Sequence, residues 1–170
     1  MRLQVKAFVF AAIVAILGAK HAESAQPQFA VTIVSSNDAI SAGSGVQKAG
    51  SPIFLLVTLT NNSTRTVSVP SFDRDYCTID VRDEHGKSVP ETDEARKTKE
   101  AMKAPNARMF RSGVTEELKP HKTSRHTIDV SQYLDVSRPG KYTIQATRQL
   151  PEELGPGVVK SNTITVTVTP

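Results

Sequence analysis

The sequence has no tryptophan, only one cysteine, and few aromatic residues, which make up 5% of its 170 positions. A single cysteine excludes a disulfide within the chain, a cysteine-rich scaffold and a zinc finger built on cysteines. With so few aromatic side chains, the core must consist mainly of Val, Ile and Leu. Hydrophobic residues make up 38% of the chain and charged residues 22%, which is typical of a globular protein and too apolar for a disordered one.

The excess of positive charge is small once the first 25 residues are set apart. The net charge is +4, but residues 1–25 hold three of the 21 basic residues and one of the 17 acidic ones. The rest of the chain has 18 basic and 16 acidic side chains. The isoelectric point near 9.3 therefore does not indicate a nucleic-acid-binding protein, and we expect no nucleic-acid partner.

The first 25 residues have the three parts of a secretory signal. Met1–Lys6 is a short basic segment, Ala7–Ala19 is a run of thirteen apolar residues, and Lys20–Ala25 is polar with small residues. Thirteen residues of helix span about 20 Å, less than the roughly 30 Å hydrocarbon core of a bilayer. We expect residues 1–25 to be a signal peptide cleaved within 19–25, and residues 26–170 to form a single domain that is secreted or periplasmic and does not associate with a membrane. An uncleaved N-terminal anchor is the alternative.

Alternation of apolar and polar residues dominates the chain from Gln28 onward and predicts short strands. The segments with this pattern are 29–34, 53–60, 65–69, 76–82, 107–111, 114–118, 126–130, 142–147 and 163–169. The Gly-, Ser- and Ala-rich stretch Asn37–Ser51 is predicted to be a loop. Phe54 and Leu56 make the second face of their strand partly apolar, which places that strand mid-sheet or under a flap. The fold class is therefore all-β, an antiparallel β-sandwich of about seven to nine strands.

The segment Glu91–Lys103 interrupts this pattern and predicts one short helical excursion. Thr92 can cap a helix whose first turn carries two acidic residues, and Asp93 and Lys97 have the spacing of a favourable ion pair. A thin stripe for packing is formed by Ala95, Thr98 and Met102. We expect a mobile, charge-balanced helix, which is either a decoration of the sandwich or a contact element for a protein partner.

The stretch from Leu134 to Ile144 resembles the corner before the penultimate strand of immunoglobulin-like domains. Gly140 and Tyr142 match its Gly-x-Tyr pattern, in which the Tyr hydroxyl bonds to upstream backbone. Ile144 stands where antibody domains carry the second disulfide cysteine, so the resemblance is to the disulfide-free sandwich. It implies an immunoglobulin-like fold with the Tyr142 hydroxyl bonded near Leu134–Ser137.

A longer pattern resembles exported bacterial immunoglobulin-like proteins, most of them uncharacterised. It runs from Leu118 through Ser131–Asp135 and Pro139–Ile144 to the closing strand that starts at Ser161, about the last third of the chain. The sequence is also similar to small bacterial intracellular proteinase inhibitors. That similarity is carried by Thr60-Asn61, the turn Asp83–Gly86 and the late Pro139-Gly140-x-Tyr142.

No residue is assigned a catalytic, cofactor-binding or metal-binding role from the sequence. Cys77 falls on the apolar face of its strand and is expected to be a buried structural thiol. His85 and His121 lie in turns and His126 in a strand, without the spacing of a metal site. Asp73 and Asp75 flank Arg74 in a loop that lacks the full calcium-binding pattern.

Two further features have an ordinary structural interpretation. Asn61–Thr64 contains two overlapping glycosylation sequons, and its residues are also sufficient to form a turn. Arg138, Lys141 and Arg148 could form a mild basic patch, which lacks the aromatic residues of a nucleic-acid surface.

The sequence therefore favours a non-catalytic, exported module without a cofactor, which binds a protein or polysaccharide through loops at one end of the sandwich. The alternative is a proteinase inhibitor that inserts an exposed loop into a protease, and Glu91–Gly113 is the candidate loop. An enzyme is the third and least favoured hypothesis, because no pairing of nucleophile and base is visible in the sequence.

We predict that the exported protein begins between Lys20 and Gln26, because the basic segment, the short apolar run and the small residues that follow form a cleavable signal. N-terminal sequencing of protein recovered outside the cytoplasm measures this start. Recovery of chains that begin at Met1 and stay in the membrane fraction would show an anchor instead.

Overall fold

The structure, a computed structural model, describes residues 28–35, 45–70, 77–103, 115–154 and 157–170. The expected signal segment, the predicted strand at 107–111 and the acidic pair Asp73 and Asp75 lie outside the described residues.

Nine strands, one α-helix and two short 3-10 helices are present in the described residues. The strands are β1 (Phe29–Ser35), β2 (Val46–Lys48), β3 (Phe54–Asn61), β4 (Val67–Pro70), β5 (Cys77–Arg82), β6 (Thr115–Leu118), β7 (Thr123–Asp129), β8 (Gly140–Gln149) and β9 (Val158–Thr169). The helices are α1 (Asp93–Ala101) and the 3-10 turns Val130–Gln132 and Glu152–Leu154. None of the described helices is both long and apolar enough to cross a membrane.

The strands form two packed sheets and a separate pair. Sheet A has the order β1-β3-β7, sheet B has the order β2-β9-β8-β5, and β4 pairs with β6. All pairings are antiparallel except that of β2 with β9. This is an immunoglobulin-like β-sandwich, so the fold class expected from the alternating pattern is confirmed.

Strand β2 lies inside the stretch Asn37–Ser51, so the predicted loop is wrong at Val46–Lys48, whereas residues 37–44 lie outside the described residues. Its three residues are held through the backbone, because Thr167 N–H donates to Gly45 O and Ala49 N–H to Thr169 O, both at 2.7 Å. Side-chain burial contributes little, since Val46 is 49% exposed. A strand that forms by backbone pairing alone leaves no hydrophobic period in the sequence.

The core is built from the alternating residues of both sheets. On β3, Leu55, Val57 and Leu59 are almost completely buried. Phe54 and Leu56, on the opposite face, are half-buried, because β3 is the middle strand of sheet A and has neighbours on both sides. The predicted mid-sheet position of this strand is therefore confirmed.

A bulge in β9 joins the two sheets. Between Gln145 and Thr147 the register with β8 shifts, so Ser161 and Asn162 lie opposite the single residue Ala146. The Ser161 hydroxyl accepts from Ala146 N–H at 2.9 Å. The Asn162 amide accepts from Ile33 N–H at 2.8 Å and donates to Ile33 O at 3.0 Å. Asn162 therefore pairs with the outer edge of β1 as a neighbouring strand would.

Asn61, at the end of β3, connects sheet A to the β4–β6 pair. Its side chain is completely buried, and its amide nitrogen donates to Arg65 O and Leu118 O, each at 2.8 Å. Its amide oxygen accepts from the N–H of Ser63 at 2.9 Å and from the hydroxyl of Ser63 at 2.7 Å. All four hydrogen-bonding positions of the amide are thus used, which leaves this sequon asparagine inaccessible in the folded protein.

We predict that Asn61→Ala lowers the free energy of unfolding by about 2–3 kcal/mol, because Leu118 O loses its Asn61 donor and Arg65 O keeps only the longer bond from the Ser63 hydroxyl, at 3.2 Å. Urea unfolding of both proteins measures the loss. Thr64→Ala, at an exposed position of the same turn, is the control and should change stability by less than about 0.5 kcal/mol. Equal losses for the two variants would contradict the role of the Asn61 amide.

Candidate functional site

The connection before β8 is the corner that the sequence predicted. The Tyr142 ring is 5% exposed, and its hydroxyl donates to Arg138 O at 2.8 Å. The acceptor lies one residue beyond the predicted range Leu134–Ser137. Burial raises the pKa of Tyr142. Gly140 starts the strand with a φ of 156°, a backbone conformation that glycine adopts more readily than other residues.

The turn that leads to the corner is fixed by Asp135. Its carboxylate accepts from the Ser137 hydroxyl at 2.6 Å, and hydrogen bonds from Ser137 lower its pKa. A similar arrangement closes the turn after β5, where the Asp83 carboxylate accepts from the N–H groups of His85 and Lys87, both at 2.9 Å. The hydrogen bond from Lys87 is the largest cause of the lowered pKa of Asp83.

An extended segment, 88–92, ties helix α1 to this corner. Val89 N–H donates to Val81 O on β5 at 2.9 Å, and Asp135 N–H donates to Pro90 O at 2.9 Å. Glu91 then forms an isolated β-bridge with Leu134. The segment therefore bridges the edge of sheet B and the corner before the chain turns into the helix.

Thr92 performs three functions at the start of helix α1. Its N–H donates to Tyr133 O at 2.9 Å, its hydroxyl donates to Gln132 O at 2.8 Å, and the same hydroxyl accepts from Ala95 N–H at 3.1 Å. The predicted cap is confirmed. Because one side chain both caps the helix and bonds to the 3-10 turn, the first turn of α1 is positioned relative to the corner.

Beyond its first turn, helix α1 faces solvent. Ala95 is its one buried residue, Thr98 is half-buried and Met102 is 50% exposed, so only the first part of the predicted apolar stripe packs. The helix therefore presents nearly all its circumference outward, as expected for a charged segment with a thin apolar face.

Paired charges cover this outward surface. Lys99 contacts Glu91 at 2.8 Å and Lys103 contacts Glu100 at 2.6 Å. Asp93 pairs with Arg96 and not with the predicted Lys97, because residues three apart also lie on one helix face. These side chains line a shallow open groove along the helix, formed by Glu91, Asp93, Arg96, Lys97, Lys99, Glu100 and Lys103. We call this the α1 surface.

The candidate inhibitor loop, Glu91–Gly113, is not a loop in its described part, residues 91–103. From Glu91 to Lys103 the chain is a bridged segment followed by a helix, and residues 104–113 lie outside the described residues. Within the described part, this stretch is not an extended loop that could insert into a protease cleft.

Cys77 is a buried free thiol, as predicted. Burial raises its pKa to about 11, and the neighbouring Arg148 guanidinium opposes that change only in part. The thiol is therefore protonated at neutral pH and is a poor nucleophile.

The prediction that Arg148 belongs to a basic surface patch was wrong. It is 1% exposed, and its guanidinium donates to Pro70 O at 2.6 Å, whereas Arg138 and Lys141 are exposed. The three do not form a basic patch. Alternation along β8 places Arg148 on the same face as Tyr142 and Ile144, and this signal was available in the sequence. Burial lowers the pKa of Arg148.

Three of the four histidines lie in the described residues, and they are dispersed over the surface. His85 and His121 are exposed in turns, and His126 is exposed on β7. Within the ranges that the structure describes, no group of three or more His, Cys, Asp or Glu side chains is arranged to hold a metal ion.

The sheet topology defines the fold of the chain as an immunoglobulin-like β-sandwich. No family model matches the sequence, and no curated protein matches it. Among solved structures, the chain is similar to a CARDB domain from Pyrococcus furiosus, whose structure is described as a complex with di-metal ions. That similarity covers 84% of this chain and 89% of the CARDB chain, at 17% identity and a TM-score of 0.40.

We predict that Tyr142→Phe lowers the free energy of unfolding by about 1 kcal/mol or somewhat more, because Arg138 O loses its donor inside the corner. Thermal or urea unfolding measures the difference. Lys141→Gln, at the exposed neighbouring position, should stay within about 0.5 kcal/mol of the wild type. Identical unfolding midpoints for the wild type and Tyr142→Phe would argue against the corner bond.

We predict that raising the pH from 7 to 11 lowers the free energy of unfolding more in the wild type than in Cys77→Ala. The folded thiol has a pKa of about 11 and the ordinary value is 9.0, so only the unfolded state ionises between these values. The contribution of the neutral thiol is complete below pH 9 and is lost as the pH rises toward about 11. Urea unfolding from pH 7 to 11 tests this, and parallel pH profiles of the two proteins would contradict it.

Proposed function

We propose that this protein is an exported, non-catalytic immunoglobulin-like module that binds a protein partner through the α1 surface. The observation that carries the proposal is the way helix α1 is mounted. Thr92 fixes its first turn to the corner with hydrogen bonds of 2.8, 2.9 and 3.1 Å, while every helix residue except Ala95 remains at least partly accessible.

A helix held in this way suits recognition. Binding residues that are positioned by a rigid scaffold lose little conformational entropy when a partner docks. The three ion pairs of the α1 surface are all exposed, so each contributes little to stability. These side chains can therefore leave their present partners and pair with opposite charges on a binding protein. Such pairs would govern the specificity and rate of association more than its affinity.

Lys97 is the side chain on which we base the test. It is exposed and belongs to none of the ion pairs of the helix. Replacing it therefore changes the charge of the α1 surface without breaking a contact within the described structure. A polysaccharide remains the second class of ligand that the loops of such a module could bind.

The export of the chain is part of the proposal and rests on the composition of residues 1–25. The absence of a catalytic role rests on the protonated state expected for the Cys77 thiol and on the dispersed histidines. Both points are distinct from the binding proposal, and the recovered N-terminus tests export independently.

We predict that a photo-crosslinking residue placed at Lys97 in the native host captures a discrete protein, whereas the same residue placed at Lys122 does not. Lys122 is an exposed lysine in the turn between β6 and β7, at the opposite end of the sandwich. Mass spectrometry of the crosslinked product identifies the partner.

Lys97→Glu should then weaken binding of that partner about fivefold to tenfold at low salt, with a smaller effect at high salt, and Lys122→Glu should leave binding unchanged. Equal crosslinking from both positions, or equal binding by both charge variants, would rule out the α1 surface as the contact. Crosslinking to a polysaccharide only would favour the second class of ligand.

A further inference from the structure

We infer that strand β7 is an interface for a second copy of this chain, which adds to sheet A by antiparallel pairing of the two β7 strands. The inference concerns the side of the sandwich that carries β7 and is independent of the α1 surface. It rests on the edge geometry of β7 and on the order of its charges.

Strand β7 is the end strand of sheet A, and its backbone directions follow from a hydrogen bond at each end. Val130 N–H donates to Ile53 O, and Asn61 N–H donates to Lys122 O. Since backbone groups alternate sides along a strand, the even-numbered residues of β7 face β3. The N–H and C=O groups of Thr123, Arg125 and Thr127 therefore point away from the sheet, as does the N–H of Asp129, whose C=O begins the 3-10 turn that follows.

Other sheet edges in the described residues are covered or short. The Asn162 amide occupies the edge of β1 at Ile33, Val89 bonds to the edge of β5 at Val81, and β2 has only three residues. Strand β7 has seven residues and pairs with β3 without a register shift. It has no proline, and within the described residues no backbone group pairs with its outer edge. Long, regular edges of this kind readily pair with another strand.

The order of charges along β7 selects an antiparallel pairing with the same strand. If the two-fold axis passes at Thr127, Thr127 faces Thr127 of the second copy. Arg125 then lies opposite Asp129 of the second copy, and Asp129 lies opposite Arg125 of the second copy. Opposite charges and paired threonines directly across antiparallel strands are favourable. The Arg125 side chain is exposed and forms no salt bridge with another described residue. The Asp129 carboxylate accepts from Ser131 N–H at 3.0 Å and from the Gln132 side-chain amide at 3.3 Å, but it has no cationic partner among the described residues, so Arg125 of the second copy would supply one.

The backbone groups agree with this register. The two Thr127 residues would exchange two hydrogen bonds across the axis. Each Asp129 N–H would donate to the C=O of Arg125 on the second copy, which adds two more. Leu56 lies beside Thr127 and Val34 beside Leu56 on the same face. Pairing therefore aligns two such rows in one six-stranded sheet and extends the partly apolar outer face of sheet A.

Sedimentation equilibrium of the protein, purified after expression of the full chain, tests the inference over about 1 μM to 1 mM. We expect the mass to rise from one copy to two and no further, because pairing through a single edge about a two-fold axis is closed. A mass of one copy throughout the range, or growth beyond two copies, would overturn the inference.

Two variants locate the interface. Arg125→Asp places like charges opposite each other and should weaken the dimer about tenfold or more. Lys141→Asp makes the same change of charge at an exposed position of sheet B and should leave the dimer unchanged. Thr127→Pro removes an outward N–H that β3 does not use and should abolish the dimer. If this proline variant does not fold, the comparison of the two charge variants alone decides.

Hydrogen exchange gives a readout at single residues. As protein concentration rises, the amides of Thr127 and Asp129 should become protected, while the amide of Thr123, which lies beyond the paired region, should continue to exchange. A dimer that protects none of these amides would place the interface elsewhere and overturn the inference. Protection only when another exported protein is added would identify that protein, rather than a second copy, as the occupant of the edge.

Discussion

The buried amide of Asn61 is the interaction on which the arrangement of the sandwich depends most directly. Strand β3 is the centre of sheet A, and its last residue holds the turn at Arg65 and the end of β6 at Leu118. The chain therefore leaves β3 in a fixed direction and returns to β7 at a fixed place. An asparagine is required, because it alone presents two donors and two acceptors on a side chain of this length.

The opposite end of the sandwich is organised by backbone hydrogen bonds together with buried apolar side chains. The segment 88–92, the 3-10 turn and the corner before β8 bond to one another, and Thr92 adds helix α1 to the same network. Val130, Val136 and Tyr142 anchor this unit in the core, while its outer surface remains polar. A surface of this kind can vary in sequence without disturbing the core, which suits a position of recognition.

Much of the fold could be predicted from the sequence because strand burial has a period of two. The core face of β3, the buried Tyr142 and Cys77, and the cap at Thr92 are consequences of local patterns. The parallel strand β2 could not be found, since its pairing with β9 depends on a distant backbone and not on its own side chains. Arg148 was assigned to the surface because its residue type outweighed the alternation that places it inside.

The candidate site was only partly predictable for a related reason. The sequence located the helix and its charges, but the choice of Arg96 over Lys97 as the partner of Asp93 is set by side-chain geometry. The way the helix is mounted depends on contacts between Thr92 and residues 40 positions later in the chain. Contacts over such distances are fixed by topology, which single-sequence patterns do not encode.

The bridge between Asn162 and Ile33 also has a consequence for the order of folding. The two residues are 129 positions apart, and strands β1 and β2 both border the last strand, β9. Strands β1 and β2 are therefore completed only when β9 has been synthesised. A growing chain of this topology stays open at β1 and β2 until β9 has been synthesised, so closure of the sandwich is slow and late.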